Sequence, residues 1–131
     1  MNVLLDTHIA LWAVEDNPRL SAKARDLITN PDTALAVSVV SLWEIAIKHA
    51  LDRKGRDAMP MSAAQAHGFF LEAGYEVLPL RAAHVLGLET LPRHHDDPFD
   101  RLLAAIAMTE PLRLVTHDKQ LASYSDLVML V

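Results

Sequence analysis

Short, uninterrupted apolar runs punctuate this chain, and they constrain its fold more than any other feature. Val3-Leu4-Leu5 stops at Asp6, and Ala34 to Val40 is Val-rich and bounded by turn residues. Tyr75 to Leu78 stops at Pro79, Leu112 to Thr116 follows Pro111, and Leu127 to Leu130 lies near the C-terminus. Apolar runs without polar alternation are strands covered on both faces. Between them, apolar residues recur at helical spacing. The spacing predicts helices from Thr7 to about Glu15, Ser21 to Thr29, Ser41 to about Asp52 and Ser62 to Ala73, the last closed by Gly74. It predicts further helices from Arg81 to about Leu88 and Pro98 to about Glu110, and a short one over Lys119 to Ala122. Arg53 to Pro60 reads as a charged loop. Alternation of strands and helices predicts an α/β fold: a three-layer α/β/α arrangement around a parallel sheet of four to five strands, the last of them at an edge. The 131 residues hold no repeat, low-complexity tract or long linker, so a single domain over residues 1–131 is expected.

Composition narrows the possibilities. The chain is 51% hydrophobic and 22% charged, which suits a packed core rather than disorder. It has no cysteine, which excludes disulfides and thiolate metal sites. The N-terminal Met1-Asn2-Val3-Leu4-Leu5-Asp6 has no basic leader region, and no apolar run approaches the about 18 residues of a membrane span. A soluble cytoplasmic protein is expected. The formal charge of −5 argues against a general nucleic-acid coat protein. It leaves room for a nucleic-acid enzyme, whose acidic centre lowers the total while a local basic patch holds phosphate.

The most informative loop runs from His94 to Pro98 and feeds an amphipathic helix. Asp97 is a good N-cap and Pro98 falls at the first helical position. Phe99, Leu102, Leu103 and Ile106 form one apolar stripe, and Asp100 sits at its edge, with small Ala104 and Ala107 above it. In a parallel α/β fold, strand ends and the starts of the following helices share one edge, where ligands bind. Asp6 ends the first strand, Glu44 lies in the first turn after the second, Asp100 opens the helix before the fourth, and Asp118 follows the end of the fourth. Four distant carboxylates are thereby expected at one edge.

Each has a structural reading as well. Asp6 can cap the helix beginning at Thr7. Ser41-x-x-Glu44 completes a capping-box pattern which, taken alone, makes Glu44 structural. Asp100 can act on its helix dipole alone, and Asp118 can be a turn residue. Their joint placement favours a site. Converging carboxylates repel one another, and a divalent cation relieves them. An oxygen-only ligand set favours Mg²⁺ or Mn²⁺. One or two such ions activate water and stabilise the leaving oxygen of a phosphodiester.

Four stretches carry a resemblance. They are Leu4-Leu5-Asp6-Thr7-His8, Val37-Ser38-Val39-Val40-Ser41-Leu42-Trp43-Glu44-Ile45, Asp97-Pro98-Phe99-Asp100-Arg101-Leu102-Leu103 and Leu114-Val115-Thr116-His117-Asp118. In this order they resemble the PIN domain, and more narrowly the VapC-type toxin nucleases of bacterial toxin–antitoxin pairs. The resemblance implies a parallel sheet between helices and a metal-dependent ribonuclease acting on RNA, held inactive by a cognate antitoxin. It implies a homodimer or a toxin–antitoxin hetero-oligomer. The family's acidic positions, catalytic and metal-holding, fall on Asp6, Glu44, Asp100 and Asp118, and its frequent hydroxyl falls on Thr116.

Other residues have weaker claims. Lys48, Arg53, Lys54 and Arg56 form the best candidate for an RNA-facing patch, against a charged loop plus an i, i+4 pair from Glu44 to Lys48. Thr116 and Lys48 are the candidate substrate contacts. Arg101 is equally a phosphate contact or part of a solvated helix face. His94-His95 reads as a solvent-exposed loop pair rather than a transition-metal site, since no third His sits at helical spacing; His117 is close to Asp118, with substrate contact as its alternative reading; and Asp97 reads as an N-cap. Trp12 and Trp43 read as core residues, with anchoring of a partner helix as the alternative. Two rival functions remain. A receiver-like signalling domain needs a phospho-accepting Asp after the third strand, where this chain has Pro79-Leu80-Arg81. A non-cleaving PIN-like module binding RNA or protein is the other, and the intact acids argue against it.

Overall fold

A computed structural model describes residues 1–51 and 58–131. Five parallel strands form one sheet: β1 (Asn2–Leu5), β2 (Ala34–Ser38), β3 (Glu76–Leu78), β4 (Arg113–Thr116) and β5 (Val128–Leu130). Their order is β3-β2-β1-β4-β5. Six α-helices are found among the described residues: α1 (Thr7–Glu15), α2 (Ala22–Thr29), α3 (Val39–Ala50), α4 (Ala63–Glu72), α5 (Ala82–Gly87) and α6 (Pro98–Thr109). No described helix is long and apolar enough to cross a membrane.

The sheet is sandwiched as its apolar runs predict. Val3, Leu5, Val37 and Val115 point to one side and pack with Ile9, Leu11, Ala24, Ala66 and Phe70 from α1, α2 and α4. Leu4, Ala36 and Leu114 point to the other and pack with Leu102, Leu103 and Ile106 of α6. β1 is central and is buried from Val3 onward. The chain moves outward from β1 to β2 and β3, then returns to lay β4 on the other side of β1. The β1/β4 junction is therefore the topological switch point, where an open parallel sheet offers a crevice at its strand ends. A receiver domain has the order 2-1-3-4-5, which this sheet does not share.

Local signals set most helix ends. Ser21 Oγ accepts from the Ala24 N–H at 3.1 Å. Ser62 and Gln65 form a reciprocal capping box. Gly74, at φ +83°, takes the left-handed turn that ends α4. Asp97 Oδ1 accepts from the N–H groups of Phe99 (2.8 Å) and Asp100 (3.3 Å), with Pro98 at the first helical position.

Two expectations need correction, and a third falls outside the described residues. The second strand stops at Ser38 rather than Val40, and α3 begins at Val39, because Ser38 caps it by accepting from the Val40 N–H at 3.0 Å. The Ser41–Glu44 capping box therefore does not form; Ser41 is already inside the helix. The short helix placed at Lys119–Ala122 is a single 3₁₀ turn at Leu121–Ser123. The basic residues Arg53, Lys54 and Arg56 of the candidate RNA-facing patch lie outside the described residues.

Phe70 is fully buried and stacks on Tyr75 at 5.9 Å between ring centroids. Phe70→Ala is expected to lower the unfolding free energy by about 3–5 kcal/mol, read from urea denaturation; a change below about 1 kcal/mol would show that α4 contributes little to this core.

Candidate active site

At the carboxyl end of β1, the Asp6 N–H donates to the Val115 carbonyl at 2.9 Å, extending the β1–β4 ladder by one step. This fixes the Asp6 side chain between two strand ends. Asp6 precedes α1, but its carboxylate makes no capping bond. Instead its Oδ2 accepts from the Thr116 hydroxyl at 2.6 Å. The same hydroxyl oxygen accepts from the Asp118 N–H at 3.0 Å. Thr116 thereby orients one acid directly and the next through the backbone. The purely capping reading of Asp6 is set aside by this geometry.

Glu44 arrives from α3. Its Oε1 accepts from the Thr7 hydroxyl at 2.8 Å, and its Oε2 accepts from Lys48 Nζ at 2.5 Å, one turn further along the helix. Thr7 Oγ1 also lies 2.8 Å from Ser41 Oγ. Thr7, Ser41 and Glu44 are all buried. An unpartnered carboxylate at this depth is costly, and the paired donors offset that cost. Burial alone would lower Lys48, but its bond to Glu44 and the charges of Asp97 and Asp100 hold it above its usual value.

Asp100 stands in the first turn of α6, and Asp118 in the turn after β4. Between them lies His95, whose Nε2 is 2.7 Å from Asp118 Oδ2 and 3.3 Å from Asp100 Oδ2. Nδ1 of His95 accepts from the Asp97 N–H at 2.9 Å. In the neutral ring the proton therefore sits on Nε2 and points at the two carboxylates. His95, Asp100 and Asp118 each offer a ligand atom, and these atoms lie within 4.8 Å of one another. The reading of His95 as an exposed loop residue is corrected here. His94 is exposed, its ring tilted against Tyr124 at 5.2 Å between centroids, while His95 turns inward. Its position two residues before the N-cap of α6 was the available signal. Thr7 and Ser41 were also missed; one follows Asp6 directly and the other lies one helical turn before Glu44.

The electrostatics follow from this crowding. Burial raises the Asp100 pKa, and the negative charges of Asp6, Asp97, Glu44 and Asp118 push the same way, to about 8. Burial also raises Asp6, against the hydrogen bond from Thr116 and the nearby His8 and His117. Burial acts upward on Asp118 too, but the bonds from His95 and the Gln120 N–H hold it below the usual carboxylate range. Asp100 and Asp118 meet at His95, Asp6 is tied to Asp118 through Thr116, and Glu44 is held by Thr7 next to Asp6; the tightest cluster among the described residues is His95, Asp100 and Asp118 rather than all four acids. The donor set is carboxylate oxygen with one imidazole, which suits a hard divalent ion such as Mg²⁺ or Mn²⁺.

Other expectations resolve individually. Trp12 packs half-buried against the core, as read. Trp43 is 54% exposed and so is not a core residue; its ring meets Phe99 edge-on at 4.9 Å. With Ile47 and Leu51 it forms an exposed apolar stripe along α3 and its end. Arg101 is half-buried, and its Nε is buried without a hydrogen-bond partner among the described residues, so it is not a fully solvated face.

Residues 3–127 match the PIN domain family, and the chain belongs to that family. Over 122 residues it is 33% identical to Ribonuclease VapC22 of Mycobacterium tuberculosis, a match spanning 93% of this chain and 91% of that relative. The fold is similar to that in the structure of VapBC2 from Rickettsia felis bound to a promoter DNA fragment (TM-score 0.68, 19% identity, 100% of this chain and 98% of that one). It is also similar to a toxin–antitoxin complex from Klebsiella pneumoniae (TM-score 0.65, 14% identity, 97% and 95% coverage). A third likeness is to VapBC-1 from nontypeable Haemophilus influenzae (TM-score 0.62, 19% identity, 99% and 98% coverage).

A pH dependence follows. The folded protein keeps the Asp100 proton up to about pH 8, whereas an unfolded chain loses it near 3.8. Between those values the folded state binds more protons, so raising the pH removes stability. Metal-free protein is expected to have a lower urea midpoint at about pH 8 than at about pH 5, and Asp100→Asn to reduce that decline. Mn²⁺ should raise the melting temperature more at the higher pH. Identical pH profiles for the two proteins would contradict this electrostatic account.

Proposed function

We propose that this chain is a divalent-metal-dependent endoribonuclease and the toxin member of a toxin–antitoxin pair. The observation that carries the proposal is the convergence of Asp6, Glu44, Asp100 and Asp118 on the β1/β4 switch point, where Asp100 feels the charge of the other three. The likeness to Ribonuclease VapC22 supports RNA as substrate. The toxin–antitoxin neighbours support a cognate antitoxin as partner, in a homodimer or a toxin–antitoxin hetero-oligomer. The whole of residues 1–131 acts as one nuclease domain.

In this reading Asp6, Glu44, Asp100 and Asp118 hold Mg²⁺ or Mn²⁺. The bound ion supplies an activated water and neutralises charge building on the phosphate. The chain's own residues do the rest. Thr116 holds Asp6 and Asp118 in fixed register and lines the substrate position. Thr7 keeps one oxygen of Glu44 occupied, which fixes the plane of that carboxylate. Lys48 brings a positive charge to the edge of the cluster, where a phosphate oxygen of the substrate is bound. No side-chain nucleophile is required, since the nearby hydroxyls of Thr7, Ser41 and Thr116 are buried and committed to their neighbours.

Asp6→Asn keeps the shape and the bond from Thr116 but removes the charge. It is expected to reduce RNA cleavage by at least about 100-fold, with an unchanged circular dichroism spectrum and weaker Mn²⁺ binding by calorimetry. Full cleavage by this variant, in preparations shown free of contaminating nuclease, would overturn the proposal.

A further inference from the structure

Beside the acidic centre, α1 and the turn after β4 bring three aromatic rings together. The centroids of His8 and Trp12 are 5.9 Å apart, those of Trp12 and His117 4.9 Å, and those of His8 and His117 6.1 Å. The Arg19 guanidinium lies 5.1 Å from the Trp12 ring centroid. His8, Trp12 and Arg19 line an open hollow of about 70 Å³, closed on one side by Met59 and Pro60. His8 lies two residues after Asp6 and His117 directly precedes Asp118, so the ring cluster adjoins the acids.

Core packing accounts for one side of Trp12 but not for the two imidazoles and the guanidinium gathered around it. Val3, Leu5, Ile9 and Leu11 fill that side of the sheet, whereas His8 and Trp12 are half-buried and Arg19 and His117 are exposed. Resting on the ribonuclease reading above, we propose that the cluster is a nucleobase subsite. An unstacked base of single-stranded RNA, next to the phosphate being cut, lies against Trp12 and the imidazoles, and Arg19 swings over its other face. Unpaired bases are held in this way, between aromatic rings and guanidinium planes. The chemistry favours a base over a protein helix. A partner helix needs a longer apolar surface than this hollow gives. The hollow beside α1 offers the ring faces of His8 and Trp12 and the Arg19 cation, with the Glu15 carboxylate and Leu11 at its wall, at a scale suited to a single planar group.

The chain has two tryptophans, so Trp43→Phe leaves Trp12 as the sole indole reporter. That protein is titrated with a single-stranded hexaribonucleotide, with Ca²⁺ replacing Mg²⁺. Saturable quenching of Trp12 is expected. Trp12→Leu, which keeps apolar bulk and removes the ring face, should raise the Kd read by fluorescence anisotropy about tenfold. It should also raise KM for RNA cleavage by a similar factor while leaving kcat in place. Trp12→Phe should restore most of the affinity, and an abasic nucleotide beside the cut should make Trp12→Leu silent. His117→Ala, on the exposed side of the cluster, gives a second variant should Trp12→Leu fail to fold, and a few-fold rise in KM is expected. RNA cleavage with a KM indifferent to both variants overturns the subsite and leaves the nuclease standing. Quenching by oligonucleotide from a protein that cuts no RNA does the reverse. Variants that bind RNA normally but lose an antitoxin peptide would reassign the hollow to protein and remove the proposal.

Discussion

Everything at the sheet's carboxyl edge depends on holding negative charges closer together than water alone would permit. Five carboxylates, those of Asp6, Glu44, Asp97, Asp100 and Asp118, interact there, and burial adds to their mutual repulsion. The fold answers each with a specific donor: Thr116 for Asp6, Thr7 and Lys48 for Glu44, His95 for Asp118 and backbone N–H groups for Asp97. Asp100 has the poorest compensation, with only the longer approach of His95 among these donors, and burial with its neighbours' charges pushes it up to about 8. The least compensated acid is where an added cation would gain most.

This arrangement explains why the neighbouring hydroxyls and the histidine matter as much as the acids. Thr116 serves two acids through one oxygen, so its loss would disturb both strand ends. His95 occupies the space between Asp100 and Asp118 with a directed N–H. An imidazole proton there partly does the work of a cation, and the Asp97 N–H that holds His95 Nδ1 ties its orientation to the residue that caps α6.

The fold was largely legible in the sequence because its strands are central and apolar. Val3-Leu4-Leu5 has no polar alternation because helices cover both faces. The stops were also chemical: Asp97-Pro98 and Gly74 mark a helix start and a helix end by mechanisms that tertiary contacts do not override. The Val39–Val40 boundary was not legible. β-branched residues suit strands, and only the Ser38 cap, with the sheet ending at that level, turned them into helix. The placement of the four acids followed from topology alone. His95 and Thr7 did not, since a side chain's direction within a turn depends on partners far away in sequence. Trp43 was misread for a similar reason: helical spacing shows that a residue shares a face, and it does not show whether anything covers that face.

The central position of β1 has a consequence for how the molecule comes into being. Its first strand must wait for β4, and the bond between Thr116 and Asp6 joins residues 110 positions apart. Such long-range parallel pairing forms late. A chain still emerging from the ribosome can settle α1, α2 and the β1–β2 pair, yet it lacks the helix bearing Asp100 and the strand that orients Asp6. Whatever reactivity resides at that edge is withheld until α6 and β4 have been made, so the order of synthesis keeps the acids at the end of β1 and in α3 apart from those of α6 and the turn after β4.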